Sequence, residues 1–222
     1  MKKTFALLLA VIMVLSLAAC DSSKDKGSTL VYGSGDYDSI NPIMNEHCEI
    51  KHLLFDSLVK LDKDGKPVAS LAESWTFDEA TLTYTFKLRS DVKWHDGEPF
   101  TSRDVKWTFD EIIDKKGLAS DSLVNVTEIT CPDDNTVVFN LSVPDATLVS
   151  ALAWNGTFIM PAHIYEGTDW LTNPANDAPI GTGPFKVETV KLGEYTTLVR
   201  NADYFITGTG NIEKIYMYPS TD

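Results

Sequence analysis

From residue 29 onward the apolar positions fall in short runs of period two, broken by turn residues and by a few stretches of helical period. Thr29-Leu30-Val31-Tyr32-Gly33 reads as a strand, and Ser34-Gly35-Asp36-Tyr37-Asp38, closed by Asn41-Pro42, as the loop after it. From Asn45 to Leu58 the period becomes helical, with Ile50, Leu53, Leu54 and Leu58 on one face. Asp62-Lys63-Asp64-Gly65 is a tight-turn signal leading to Pro67-Val68. A hairpin is predicted from Glu73–Phe77 and Leu82–Leu88, whose second arm alternates through Tyr84, Phe86 and Leu88. Thr101-Ser102-Arg103-Asp104 has capping-box spacing ahead of Val105, Trp107, Phe109, Ile112 and Ile113, and that helix is expected to end near Lys115-Lys116-Gly117.

Further on, Val126–Thr130 and Thr136–Leu141 form a second predicted hairpin around Pro132-Asp133-Asp134-Asn135. Ala146–Ala153 reads as a short helix and Pro161–Tyr165 as a helical turn. Pro184–Val190 and Tyr195–Arg200 make a third strand pair around Leu192-Gly193-Glu194, and Ile212–Tyr218 is a last strand. Trp75, Trp94 and Trp107 are assigned to the core. No internal repeat is visible, and the pattern defines an α+β class rich in antiparallel hairpins.

The first residues follow a different logic. Met1-Lys2-Lys3 is a basic start, Thr4–Leu17 is almost wholly apolar, and Leu17-Ala18-Ala19-Cys20 looks like a bacterial lipobox. Residues 1–19 are therefore read as a signal peptide and Cys20 as the lipidation site, since two or more acyl chains hold a protein on a membrane where one does not. An ordinary signal peptide followed by an incidental cysteine is the alternative. Residues 20–28 are polar and read as a flexible tether. No other run is long enough to cross a bilayer, which puts the body outside the membrane.

Composition narrows the function. The chain has 222 residues, 43% apolar and 23% charged, which is ordinary globular material for one domain or a little more. Its formal charge of −13 leaves no basic stripe for phosphates and argues against nucleic acid as a partner. Three cysteines cannot build a disulfide scaffold; Cys48 and Cys131 could pair in an oxidising compartment.

Several clusters could carry chemistry. His95-Asp96-Gly97-Glu98 offers acids beside a base, but Asp-Gly is a turn dipeptide in a link between strand and helix, so a structural role is expected and no catalytic residue is assigned. Cys48 and His52 are four apart on the predicted helix, with His47 and Glu49 close by; two ligands do not make a metal site, and no HExxH or CxxC spacing accompanies them. Gly33-Ser34-Gly35 and Gly181-Thr182-Gly183-Pro184 lack the spacing that cradles phosphates, and the second is expected to serve backbone conformation. No cofactor is called for.

Four ordered blocks resemble a known family. They are Leu71–Trp75 with Leu82–Arg89, Val92–Thr101 with Asp104-Val105, Pro179–Val187, and Arg200–Phe205. Together they are similar to the peptide/nickel-type solute-binding proteins of ABC importers, family 5 of the extracytoplasmic binding proteins. The resemblance implies a two-lobe periplasmic-binding-protein-like fold of the cluster C type, in which members are longer than this chain. Residues 29–222 would then be lobe one, a mixed sheet with an inserted hairpin-rich subdomain at about 69–176, and lobe two would be missing.

It also implies a non-enzymatic role. The protein would capture a di- or oligopeptide or a related small solute and deliver it to membrane permease subunits, while held by lipid on Cys20 at the periplasmic or outer face of the cell membrane. A nickel or metal-chelate ligand, or a fragment without binding of its own, are the alternatives. The implied ligand-facing residues are Gly35, Asp36 and Tyr37 after the first strand, Asn45, His47 and Cys48 at the start of the helix, and Trp154 and Asn155 before the Pro161 turn.

Overall fold

The computed structural model describes residues 28–34, 40–43, 49–154, 156–191, 193–208 and 210–219. The longest continuous unit is a four-stranded antiparallel sheet in the order β4-β5-β7-β6, made of β4 (Ala72–Asp78), β5 (Thr83–Leu88), β6 (Val126–Asp133) and β7 (Thr136–Leu141). Both hairpins read from the alternation are present, and they join through pairing of β5 with β7, with Phe86 opposite Val137. Tyr84, Phe86 and Leu88 all point inward and are buried, while Lys87 between them is exposed.

Against this inner face packs a helix, Ser102–Asp114, the second among the described residues and labelled α2. Phe109 meets Phe139 edge-on at 5.3 Å, and Phe139 meets Phe86 at 5.5 Å. Complete burial of one such phenylalanine contributes about 2 kcal/mol. The helix starts where the capping spacing put it: the Thr101 amide donates to Asp104 Oδ2 at 2.9 Å. Asp104 also accepts from the Ala162 amide and from Trp94 Nε1, so one carboxylate ties the helix start to two neighbours; its burial raises its pKa. At the far end the left-handed residue is Lys116 (φ 58°) rather than Gly117, whose amide bonds the Ile112 carbonyl at 2.9 Å. Trp94 is fully in the core, while Trp75 and Trp107 are partly buried and pack against it.

A second sheet has the order β1-β10-β9-β8, from β1 (Ser28–Ser34), β8 (Phe185–Lys191), β9 (Tyr195–Arg200) and β10 (Ile212–Pro219). β8, β9 and β10 form an antiparallel meander, and β1 joins β10 in parallel, Val31 opposite Tyr216. This sheet has its own core, in which Ile40, Ile50, Leu54, Phe55 and Phe158 pack against Phe185, Leu198, Ile215 and Met217.

Several expectations need correction. The helix expected over Asn45–Leu58 is, among the described residues, a single turn, α1 (Lys51–Leu54), and Phe55 is already extended (φ −125°, ψ 157°). The backbone leaves the helix there because the Leu54 carbonyl accepts from the Gly183 amide at 2.8 Å, a long-range partner for a group a longer helix would have used itself. Leu58 is buried in the first core, with Val59, and not beside Leu54 in the second. The tight turn at Asp62–Gly65 is flanked by a hairpin not assigned from sequence, β2 (Val59–Leu61) with β3 (Pro67–Ala69). β6 runs through Pro132 to Asp133, which is tolerated because β6 is an outer strand and its register shifts between Thr130 and Asp133. The short helix expected over Ala146–Ala153 is α3 (Leu148–Ala151), and the turn after Pro161 is α4 (Ala162–Tyr165).

Candidate functional site

Two features could carry function: a polar joint between the sheets and an apolar groove. At the joint, sequence blocks far apart in the chain meet. The Gly181–Gly183 turn lies on the end of α1 so closely that a Cβ on Gly181 would fall 1.7 Å from the Leu54 carbonyl oxygen, and one on Gly183 would fall 2.5 Å from that of Leu53. Glycine is required here by approach of backbone to backbone. The His95 backbone amide donates to the Gly181 carbonyl at 2.9 Å, and the Gly181 amide donates to His95 Nδ1 at 3.1 Å. Because Nδ1 accepts, Nε2 carries the proton and donates to the Gly183 carbonyl at 3.0 Å. Burial of the ring holds the His95 pKa down at about 4.

Beside this turn Asp56, 1% exposed, collects three donors. Lys60 Nζ lies at 2.6 Å from Oδ1, Tyr204 Oη at 3.0 Å from Oδ1, and Thr182 Oγ1 at 3.1 Å from Oδ2. Burial, reinforced by the Asp56 carboxylate, drives the Tyr204 pKa far up. Asn201 closes the back of the turn, donating from Nδ2 to the Gly183 carbonyl at 3.0 Å. Each side chain named here has a protein partner, which is what a structural joint requires. Asp96 and Glu98 do not converge with His95. Asp96 accepts the Glu98 amide and pairs with His163 Nε2 at 2.8 Å, and Gly97 turns the chain at φ 98°.

The groove, about 300 Å³, lies between α1 and the β1–β10 edge of the second sheet. Leu30, Leu53, Ile215 and Met217 supply its apolar lining; Tyr32, Glu49 and His52 supply its polar corner. Tyr32 Oη donates to Glu49 Oε2 at 2.7 Å, and that carboxylate raises the Tyr32 pKa. His52 packs edge-on against Phe158 at 5.2 Å, and burial lowers its pKa.

Of the ligand-facing residues expected from sequence, Gly35, Asp36, Tyr37, Asn45, His47, Cys48 and Asn155 lie outside the described residues, as does Cys20. Trp154 is described. It is 40% exposed, and its carbonyl accepts from Thr157 Oγ1 at 2.8 Å. The segment that follows it reaches α1: Ser57 pairs with Phe158, which touches His52. Among the described residues no group of three or more His, Cys, Asp or Glu is placed to hold a metal. Cys131 is a free thiol, bonded to the Ser102 carbonyl at 3.2 Å. Sequence reasoning missed Asp56 and the Tyr32–Glu49 pair. Asp56 did leave a signal, as one acid inside the apolar run Leu53–Val59.

The two sheets are bridged by the Gly181–Gly183 turn, and the groove lies on the far side of α1 along the second sheet. The family model for bacterial extracellular solute-binding proteins, family 5 Middle, matches residues 66–222. The oligopeptide-binding protein AppA of Bacillus subtilis is 31% identical over 92% of this chain and 42% of its own length. The structure of AppA in complex with a nonapeptide superposes with a TM-score of 0.80 at 30% identity, covering 88% of this chain and 40% of that one. NikZ from Campylobacter jejuni, in complex with Ni(L-His), gives a TM-score of 0.80 at 25% identity, over 88% of this chain and 39% of that one. The chain belongs to family 5 of the bacterial extracellular solute-binding proteins, and its fold is that of a single lobe of such proteins. It spans about two fifths of the length of these relatives.

Proposed function

We propose that this chain is lobe one of the receptor component of an ABC importer, capturing peptides outside the cytoplasm and delivering them to membrane permease subunits. The observation that carries this reading is the likeness to the oligopeptide-binding AppA, in sequence over 92% of the chain and in fold at a TM-score of 0.80. Residues 69–176 form the inserted subdomain, residues 1–19 the signal peptide and residues 20–28 the tether, with lipid on Cys20 as the anchor. No helix among the described residues is long and apolar enough to cross a membrane. The ligand face consists of Gly35, Asp36, Tyr37, Asn45, His47, Cys48, Trp154 and Asn155. Trp154 is the described member of that set and supplies exposed stacking area with a polar handle, which suits peptide backbone and side chains.

Capture by two lobes is a population shift toward the closed form, driven by contacts that only the closed form makes to both. Residues 20–222 alone therefore hold peptide weakly. The likeness to NikZ motivates a second reading, a metal chelate as ligand. Mass spectrometry of the solute released from protein purified from its own cells tests both. Peptides support the first reading, a metal chelate replaces it with the second, and a solute of neither kind overturns both. Submicromolar peptide affinity of residues 20–222 in calorimetry would overturn the need for a second lobe.

A further inference from the structure

The His95 ring sits between two backbone groups of opposite character. It accepts the Gly181 amide at Nδ1 and donates to the Gly183 carbonyl from Nε2. Only the neutral imidazole protonated at Nε2 can do both, because in the imidazolium Nδ1 carries a proton and meets the Gly181 N–H donor to donor. The turn held in this way is itself the clamp on α1, through the Gly183 amide and the Leu54 carbonyl at 2.8 Å. The loop that carries His95 joins β5 to α2, so the ring links the antiparallel sheet to the second sheet at the place where their segments cross.

We propose that His95 is a proton-released latch between the β5–α2 loop and the Gly181–Gly183 turn. In its neutral form it fixes the two sheets' segments together; on protonation the Gly181 bond breaks, the ring leaves its enclosure and the loop opens locally. The charged groups facing the ring are Lys186 on β8, Asp56 after α1 and the neighbouring Asp96. Lys186 Nζ bonds the His95 carbonyl at 3.1 Å, so it opposes the incoming proton. Asp56 and Asp96 favour the charged ring through space, but their hydrogen bonds go to Lys60, Tyr204 and Thr182 and to His163, and burial of the ring outweighs their pull. The latch lies in the joint and does not depend on the identity of the ligand.

Amide exchange and histidine ¹⁵N spectra of the whole chain, followed from pH 7 downward, test this. At pH 7 His95 is expected as the Nε2–H tautomer. Between about 6.5, where a released ring titrates, and about 4, where the enclosed ring does, the protection of the Gly181 amide, corrected for intrinsic exchange, should fall about tenfold per pH unit and then level off. The amides of Phe86 and Leu198 in the two cores should keep theirs. In His95→Gln, whose side chain still offers one acceptor and one donor but does not titrate, the Gly181 amide should lose this dependence. A ring that titrates near 6.5, an Nδ1–H tautomer, or Gly181 and Phe86 opening together at one pH in both proteins would each overturn the latch.

Discussion

Asp56 is the residue on which the joint turns. It is a buried carboxylate reached by donors from β2, from the Gly181–Gly183 turn and from the segment after β9. Removing it leaves the Thr182 and Tyr204 hydroxyls without their acceptor inside the protein, while the half-exposed Lys60 ammonium turns to water. Asp56→Ala is expected to cost about 2 kcal/mol of unfolding free energy, measured by urea denaturation. A loss of only a few tenths would show that Thr182 and Tyr204 find other partners. His95 adds a pH dependence whose sign follows from its depressed pKa. Between about 4, where the native ring titrates, and 6.5, where the unfolded one does, the unfolded chain binds the extra proton. Stability from this group is complete above pH 6.5 and is lost as the pH falls toward 4, by about 3 kcal/mol in all. The comparison of wild type with His95→Gln across that window should show the difference shrinking as the pH falls; a constant difference would mean an unperturbed histidine.

Among the elements, the outer strands differ in how they are defended. β4 carries Glu73 and Asp78, β6 carries Glu128, Pro132 and Asp133, and β8 carries Lys186, Glu188 and Lys191. β1, Ser-Thr-Leu-Val-Tyr-Gly-Ser, has no charge and no proline, and it is exposed along almost its whole length. Charges and prolines are what keep an edge from templating another strand. Val31 is 62% exposed, so a charge there costs little burial. Val31→Lys is expected to reduce concentration-dependent association of the chain in light scattering while leaving its thermal midpoint within a few degrees. Unchanged association would place the sticky surface elsewhere. The hairpins and α2 were legible because their signals are local: Tyr84, Phe86 and Leu88 alternate within one strand, and Thr101 and Asp104 cap a helix three residues apart. The end of α1 was not legible, because the donor that satisfies the Leu54 carbonyl comes from Gly183.

At the scale of the molecule, the chain folds as two cores joined by backbone contact, one built on α2 and the antiparallel sheet, the other on α1 and the mixed sheet. The Arg89 guanidinium over the Phe205 ring, at 5.1 Å, adds a second tie between the blocks that carried the family resemblance. Those blocks lie apart in sequence and meet in space, which explains in physical terms why they are glycine, histidine and asparagine as well as apolar residues. They form a joint that has to be dense and fully hydrogen-bonded. Of the ligand face proposed from the resemblance, Trp154 is described, and the segment after it reaches α1 through Phe158 and His52.

The sequence by itself determined the α+β class, the three hairpins, the capped helix and the family blocks, because side-chain period and capping chemistry act over a few residues. Only the tertiary structure decided that β1 lies parallel to β10, that α1 stops at Leu54, that the small β2–β3 hairpin follows it, and that His95, Asp56 and the Gly181–Gly183 turn are neighbours. A local pattern states which positions turn inward, but not which distant donor, acceptor or ring they will meet. Those partners are selected by burial: once the two cores close, each polar group between them must find whatever partner the other segments bring within reach.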